Sequence, residues 1–247
     1  MRILVLNPNT SEGITARLMA AGSDAAAPGT ELVPLTAPRG VPYIATRAEA
    51  QIGGAIALEM LAEHHVNVDA AIIAAFGDPG LLGARELFDL PVVGMAEAAM
   101  LSACMLGRRF AIVTFARALG PWYEECVDMH GLRGRLAGIR MLDDAFASVS
   151  DVQDEKEALL VALANRAVTE DEADVVILAG APLAGLAARV RDRIPVPVVD
   201  QMAAAVKQAE GLVALNTRKA TAGTFRRPDA KPTLRLPDAL AARIEHR

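Results

Sequence analysis

Short apolar runs alternate with segments of helical periodicity along most of the chain, which is typical of a parallel β-sheet covered by helices. Ile3 to Leu6 is entirely apolar, as expected for a strand that is buried on both faces. The same pattern predicts further strands at 31–35, 70–75, 91–95, 110–114, 137–141, 175–179 and 197–200. The sequence therefore predicts an α/β fold.

Capping residues indicate where the helices between these strands begin and end. Asn9, Thr10 and Ser11 can cap a helix at 13–21, and we expect Gly22 to end it. Pro79 suits the first turn of the helix after the third strand, with Asp78 as its cap. The other predicted helices are 48–64, 96–106, 119–129, 152–169, 183–191, 201–210 and, after an extended segment with prolines, 237–245.

The chain repeats itself. Asp69 precedes Ala75 by six residues, and Asp174 precedes Gly180 by six; the proline of the next strand follows 22 and 23 residues after each aspartate. Chance similarity between Val/Ile-rich strands is the alternative, but the matching offsets argue against it. We expect two pseudosymmetric lobes, each a parallel sheet flanked by helices, with the active-site cleft between them. The first lobe comprises 1–105, joined by 208–247, and the second comprises 106–207.

Composition narrows the class of protein. The chain has 53% hydrophobic residues, 22% charged residues and a net charge of −5, so we expect no nucleic-acid partner. No apolar stretch is long enough to span a bilayer, and no signal peptide precedes the first strand. Two cysteines, Cys104 and Cys126, suggest a reducing compartment, so we expect a cytoplasmic protein without membrane partners.

Five segments together resemble one known family. They are LNPNTS at 6–11, AFGDPGL at 75–81, VGMAEA at 93–98, APLAGL at 181–186 and PVVD at 197–200. They are similar to the hydantoin and allantoin racemases of the aspartate/glutamate racemase superfamily, and the resemblance extends from Arg2 to about Glu210. It implies a cofactor-independent racemase of 5-substituted hydantoins, allantoin or related small amino-acid derivatives, assembled as a homo-oligomer.

The resemblance also implies two catalytic cysteines, one from each lobe, because racemisation needs a base on one face of a carbon and an acid on the other. This chain has Ala75 and Gly180 at those positions, and neither can carry a proton. Cys104 and Cys126 lie within predicted helices, where a structural role is expected. Two explanations are open. Either the cysteine at 75 has been replaced by design and Gly180 is natural to a subfamily, or the protein diverged naturally and catalyses another reaction or none.

Candidate site residues follow from strand ends and from the family loops. Because ligands of α/β sheets collect beyond the carboxyl ends of strands, we expect nine residues to bind substrate. They are Asn7, Asn9, Thr10, Ala75, Phe76, Gly77, Thr114, Gly180 and Ala181. Asn7 has an alternative role in a turn with Pro8, and Asn9 and Thr10 have one in helix capping.

Two carboxylates and one tyrosine are further candidates. Asp78 could be a catalytic base if burial raised its pKa, although helix capping is the stronger interpretation. Glu97 could orient loops or act as an acid or base, although a capping partner in the first turn of its helix is the stronger interpretation. Tyr43 either lies on a lid over the cleft or packs on the surface. No cluster has metal-ligand spacing and no nucleotide-binding glycine motif is present, so we expect neither a metal nor a cofactor.

Three functions remain open on this evidence. The first is a racemase of hydantoin or allantoin type that lacks two-thiol chemistry. The second is a divergent hydrolase, decarboxylase or isomerase on the same scaffold that uses Asp78, Glu97 or a bound water. The third is a non-catalytic protein that binds a small-molecule ligand in the retained cleft.

Overall fold

The computed structural model describes residues 1–143 and 151–247. The strands in these residues are β1 (Arg2–Asn7), β2 (Glu31–Thr36), β3 (Ala70–Ile73), β4 (Val92–Gly94), β5 (Phe110–Thr114), β6 (Leu136–Met141), β7 (Val175–Leu178) and β8 (Val198–Asp200). The helices are α1 (Glu12–Ala25), α2 (Arg47–His64), α3 (Leu81–Leu87), α4 (Met95–Leu106), α5 (Gly120–Met129), α6 (Val152–Glu170), α7 (Leu186–Val190), α8 (Gln201–Ala214) and α9 (Asp238–Glu245).

Two parallel sheets of four strands confirm the predicted fold class. Their strand orders are β2-β1-β3-β4 and β6-β5-β7-β8, so each strand of the first sheet has a counterpart in the second. Alternating residues of β1 enter different cores, because successive side chains point to opposite faces of a sheet. Ile3 and Val5 join the core shared with the second sheet, whereas Leu4 and Leu6 face α2 and α3. Burial on both faces is the reason that β1 is continuously apolar.

Hydrogen bonds repeat at matched positions and confirm the two-lobed arrangement. The carboxylate of Asp69 accepts from the amide of Arg2 at 2.7 Å, and that of Asp174 accepts from the amide of Arg109 at 2.8 Å. Each aspartate therefore fixes the start of the central strand of its sheet. Farther along, Ala74 and Ala179 each donate to the neighbouring strand at 2.8 Å. The sequence repeat is thus a repeat of backbone geometry.

Helices α4 and α8 form the layer between the two sheets. Helix α4 follows the first sheet but also packs against β5, β7 and β8, whereas α8 follows the second sheet and packs against β3 and β4. Helix α9 packs against α2, and Leu240 contributes to the outer core of the first sheet. The assignment of 1–105 with 208–247 to one lobe and of 106–207 to the other stays a prediction.

Several predicted boundaries were wrong. Helix α1 continues past Gly22 to Ala25, because this glycine serves close packing: a Cβ there would lie 2.9 Å from Leu32 Cδ1. The helix after β3 begins at Leu81 rather than at Pro79. In place of one helix at 183–191, the short helix α7 lies between two 3-10 turns. Helix α8 continues to Ala214.

Segment 225–237 contains neither helix nor strand, as its proline content predicted. Within the described ranges, no helix combines the length and apolarity that a membrane crossing requires.

Candidate active site

The loops that follow β3 and β7 meet between the lobes, as the repeat predicted. They enclose a narrow space, here called the interlobe cleft, which is lined by Asn9, Ile14, Tyr43, Ile44, Ala75, Phe76, Trp122, Tyr123, Gly180, Ala181 and Pro182. Its volume is about 20 Å³, which is room for about one water molecule. Aromatic rings fill the remainder, with Phe76 and Tyr123 at a centroid distance of 4.7 Å. The cleft is therefore closed in this structure.

Ala75 and Gly180 both line the cleft, so the structure brings together the two positions where the family resemblance implied thiols. Gly180 has a φ of 109°, a backbone conformation that residues other than glycine rarely adopt. A Cβ at this position would lie 2.8 Å from Phe115 Cε1 and 3.3 Å from the Tyr123 hydroxyl. A side chain at position 180 would therefore strain the backbone and displace the Phe115 ring.

The side chain of Gln201 holds Gly180 in place. Its Oε1 accepts from the Gly180 amide at 2.9 Å, and its Nε2 donates to the Gly180 carbonyl. Gln201 begins α8 and is fully buried, so this pair of hydrogen bonds is shielded from solvent. The conformation of residue 180 is fixed by α8 and does not depend on a ligand.

Two tyrosines are the titratable side chains among the described residues that line the cleft. The hydroxyl of Tyr43 is buried without a hydrogen-bond partner, and burial together with the charge of Glu49 raises the pKa of Tyr43. The hydroxyl of Tyr123 lies within hydrogen-bonding reach of Thr114, and burial raises the pKa of Tyr123 as well. Both phenols are neutral at pH 7, so they can donate hydrogen bonds but are not bases.

Further hydrogen-bond donors line both sides of the cleft. The backbone amides of Phe76 and Ala181, at matched places in the two loops, donate to no acceptor in residues 1–143 and 151–247. The side-chain amide nitrogen of Asn9 likewise has no acceptor in these ranges, whereas its oxygen accepts from the amide of Ser11 at 2.9 Å. These donors leave the cleft suited to a ligand that carries carbonyl oxygens.

Four of the predicted binding residues lie behind the lining of the cleft. The amide of Asn7 donates to Asn9 and Thr15 at 3.1 and 2.9 Å, so this side chain holds the loop after β1. Thr114 donates to the carbonyl of Ala179 at 2.9 Å. Thr10 and Gly77 support neighbouring parts of the cleft wall: the amide of Thr10 donates to Val41, and Gly77 lies against the Trp122 ring.

Asp78 points away from the cleft, and the expectation that it caps the helix after β3 was wrong. Its two carboxylate oxygens accept from the amides of Ala96 and Glu97, both at 2.8 Å, so Asp78 caps α4. The N-cap residue of α4 is Gly94, and a Cβ on it would lie 2.4 Å from the Asp78 carboxyl carbon. The glycine therefore makes room for a carboxylate from another loop.

His130 of the second lobe contacts two carboxylates of the first lobe, those of Asp78 and Glu97. Its Nε2 lies 3.0 Å from Asp78 Oδ2, and its Nδ1 lies 3.3 Å from Glu97 Oε1. Burial acts to lower the pKa of His130, but the hydrogen bonds to both carboxylates outweigh it and raise this pKa to about 9. Burial raises the pKa of Asp78, against the opposing effect of His130.

Glu97 pairs with Arg85 and His130, which belong to other elements, so the expectation that it is a capping partner in the first turn of its own helix was wrong. Burial acts to raise the pKa of Glu97, but hydrogen bonds from His130 and Arg85 outweigh it and lower this pKa to about 2. Arg85 Nη1 donates to Glu97 Oε1 at 2.9 Å. This role of His130 was not predicted from the sequence, although Cys126 and His130 are four residues apart, a spacing that brings two side chains to the same side of a helix and its C-terminal cap.

The fold and the cleft define a class of two-lobed α/β proteins with a donor-lined site between matched loops. The family model for Asp/Glu/Hydantoin racemase matches residues 3–209, and the chain belongs to this family. The hydantoin racemase of Paenarthrobacter aurescens is 35% identical over 238 residues, covering 95% of this chain and all of the relative. That of Pseudomonas sp. (strain NS671) is 34% identical over 235 residues, covering 94% and 93%.

A solved structure agrees with these sequence relatives. The allantoin racemase from Klebsiella pneumoniae superimposes with a TM-score of 0.91 at 34% identity, over 97% of this chain and 98% of that one. The superposition extends over both lobes, which confirms the family resemblance inferred from the five sequence segments.

Proposed function

We propose that the chain is a cofactor-independent racemase that binds a cyclic ureide of hydantoin or allantoin type in the interlobe cleft. The observation that carries this proposal is the set of unpaired donors around Ala75 and Gly180. A hydantoin ring presents two carbonyl oxygens, and the Tyr43 hydroxyl and the amides of Phe76 and Ala181 supply donors for them. Family membership supports a substrate of this class.

The donors favour removal of the exchangeable proton because they bind the carbonyl oxygen next to the carbon that carries it. When that C–H proton leaves, its electron pair moves to the adjacent carbonyl and gives an enolate oxygen. A preorganised donor that stabilises such an oxygen contributes a factor of about 10²–10³ in rate. Reprotonation from the opposite face completes racemisation.

The base cannot be a thiolate at position 75 or 180, because the residues there are alanine and glycine. Both tyrosines are neutral at pH 7, and Asp78 faces α4. We infer that hydroxide or water from solvent takes the proton and that water returns one. This mechanism requires the cleft to open, and the loop 37–46 that carries Tyr43 contains no helix or strand to prevent it.

Proton exchange in D₂O tests the proposal. Enantiopure 5-substituted hydantoin and allantoin are incubated with the protein, and the loss of optical rotation and the deuterium content at the reacting carbon are followed together. We expect saturable exchange at least about 100-fold faster than in buffer. Binding without exchange would overturn the activity in favour of a ligand-binding protein, and neither binding nor exchange would overturn the proposal as a whole.

Ala75→Cys sharpens this experiment, with Ala75→Ser as its matched control. A thiolate is a general base at neutral pH and a serine hydroxyl is not, so we expect only the cysteine to raise the exchange rate, by about 10²–10⁴. Equal rates for the two variants would contradict the placement of the reacting carbon beside residue 75.

The divergent hydrolase or decarboxylase is not favoured. Asp78 and Glu97 are both committed to hydrogen bonds outside the cleft. We further propose a homo-oligomer in the cytoplasm, with the small-molecule substrate as its partner and neither nucleic acid nor membrane. Light scattering coupled to gel filtration measures the oligomeric state.

A further inference from the structure

Three side chains with metal-binding atoms converge outside the interlobe cleft. The carboxylate of Asp78, the thiol of Cys126 and the imidazole of His130 have ligand atoms that all lie within 4.8 Å of one another. Asp78 follows β3 in the first lobe, whereas Cys126 lies on α5 of the second and His130 directly follows that helix. We call this set the Asp78–Cys126–His130 cluster.

The cluster is buried and chemically suited to one class of ion. The exposed fractions of Asp78 and Cys126 are 2% and 3%, and that of the His130 side chain is 5%. Aspartate oxygen, cysteine sulfur and histidine nitrogen are the ligand types that Zn²⁺ binds in proteins. A mixed set with one thiolate excludes hard ions such as Mg²⁺ and Ca²⁺, which take oxygen ligands.

Surrounding groups already orient two of the three side chains. Glu97 Oε1 lies 3.3 Å from His130 Nδ1, which leaves Nε2 directed at the cluster. A carboxylate on the far nitrogen of a histidine ligand is the usual arrangement in metal sites. The α4 amides hold the Asp78 carboxylate, and Arg85 holds Glu97.

The cluster lies beside a groove. Asp78 and Cys126 line a groove of about 520 Å³ between α2 and α5, to which Gln51 and Glu125 also contribute. The Trp122 ring lies between this groove and the interlobe cleft and lines both. An ion in the cluster would have three protein ligands and would lie on the groove side of Trp122, separate from the proposed substrate, with a fourth position left for water.

We propose that the Asp78–Cys126–His130 cluster binds Zn²⁺ and thereby links the two lobes. The ligands are Asp78 Oδ2, Cys126 Sγ and His130 Nε2, and water completes the tetrahedron. The imidazolium and the thiol each release one proton to solvent as the ion binds. The charge of the cluster with Glu97 and Arg85 stays at zero, since two protons are exchanged for one divalent cation.

Cobalt absorbance tests this site directly. The full chain is stripped with a chelator and titrated with Co²⁺, which gives a thiolate-to-metal charge-transfer band when it binds cysteine. We expect one Co²⁺ per chain, displacement by Zn²⁺, and a higher Tm with Zn²⁺. Absence of a charge-transfer band, with an unchanged Tm, would show an ion-pair network only and would overturn the proposal.

The two cysteines provide matched variants. Cys104→Ala keeps the cluster, and we expect it to retain the band and the affinity. Cys126→Ala removes one ligand, and we expect loss of the band with an affinity at least about 100-fold lower. Retention of the band in Cys126→Ala would contradict the assignment.

A third variant keeps the test valid if circular dichroism shows that Cys126→Ala does not fold. Glu97→Gln leaves all three ligands in place, and we expect the band to remain with Co²⁺ affinity about 10–100-fold lower. In the Cys104→Ala background, Zn²⁺ should also slow the reaction of Cys126 with a thiol reagent. Unchanged affinity and unchanged thiol reactivity would overturn the proposal.

Discussion

The loops after β3 and β7 occupy matched places in the two lobes and differ in the space that they leave for a side chain. Gly80 and Gly185 have φ values of 82° and 86°, and the strands before them make matching hydrogen bonds. Ala75 has no positive φ, whereas Gly180 has one of 109° and faces Phe115. The repeat has kept its backbone hydrogen bonds while the chemistry available at its two equivalent positions has diverged.

A second difference concerns how the two lobes cap equivalent helices. Helix α8 is capped by Asp200 of its own strand end, whose Oδ1 accepts from Met202 and Ala203 at 3.0 Å. Helix α4 is capped instead by Asp78, which also binds His130. Asp78 thus caps a helix and also contacts the other lobe, whereas Asp200 makes its hydrogen bonds within its own lobe.

Removal of the two caps should give the largest contrast. Asp78→Ala leaves His130 without one of its carboxylates in a buried place, and we expect it to lower the free energy of unfolding by about 4 kcal/mol. Asp200→Ala removes a cap without an ion pair, and we expect a loss of about 2 kcal/mol. Urea denaturation of both variants measures the difference, and equal losses would contradict the interlobe role of Asp78.

Introduction of a side chain at the two matched positions should give the next largest effect. Gly180→Cys combines a strained φ with contact to Phe115, and we expect it to cost about 3 kcal/mol of unfolding free energy. Ala75→Cys should cost less than about 1 kcal/mol, because its backbone conformation accepts a side chain. Urea denaturation again compares them. A well-tolerated cysteine at 180 would show that the second loop is as permissive as the first.

Removal of the two phenol hydroxyls should give the smallest effect, with opposite signs. Tyr43→Phe deletes a buried hydroxyl that has no partner, and we expect it to stabilise the free protein by about 1 kcal/mol. Tyr123→Phe deletes a hydroxyl within reach of Thr114, and we expect it to destabilise by about 1 kcal/mol.

Calorimetric Tm values test these signs, and the Kd for a hydantoin tests the role of Tyr43. We expect Tyr43→Phe to weaken hydantoin binding while it stabilises the free protein. A drop in Tm for Tyr43→Phe would show that its hydroxyl already has a partner in the free protein.

The repeat made the fold and the pairing of Ala75 with Gly180 predictable, because equal spacing from strand to loop fixes equal places in each lobe. The alternative roles of single residues were harder to separate. Asn7 would lie at a strand end whether it bound substrate or formed a turn, and only its three hydrogen-bonded acceptors show that it holds a turn.

The His130 contacts depend on residues distant in sequence, 52 positions from Asp78, and no local pattern contains that information. The i, i+4 spacing of Cys126 and His130 was the one available signal. The closure of position 180 likewise arises from Phe115 and Gln201, which belong to other elements.

Gly94 carries an evolutionary consequence. It stands where the other half of the repeat has Asp200, and the carboxylate of Asp78 fills the place of the missing side chain. The two positions are epistatic: aspartate at 94 would collide with the existing Asp78, while loss of Asp78 alone would leave α4 uncapped. Because this anion comes from a loop rather than from the strand end, the same carboxylate also reaches His130, and no single substitution converts the first half to the arrangement that Asp200 makes in the second.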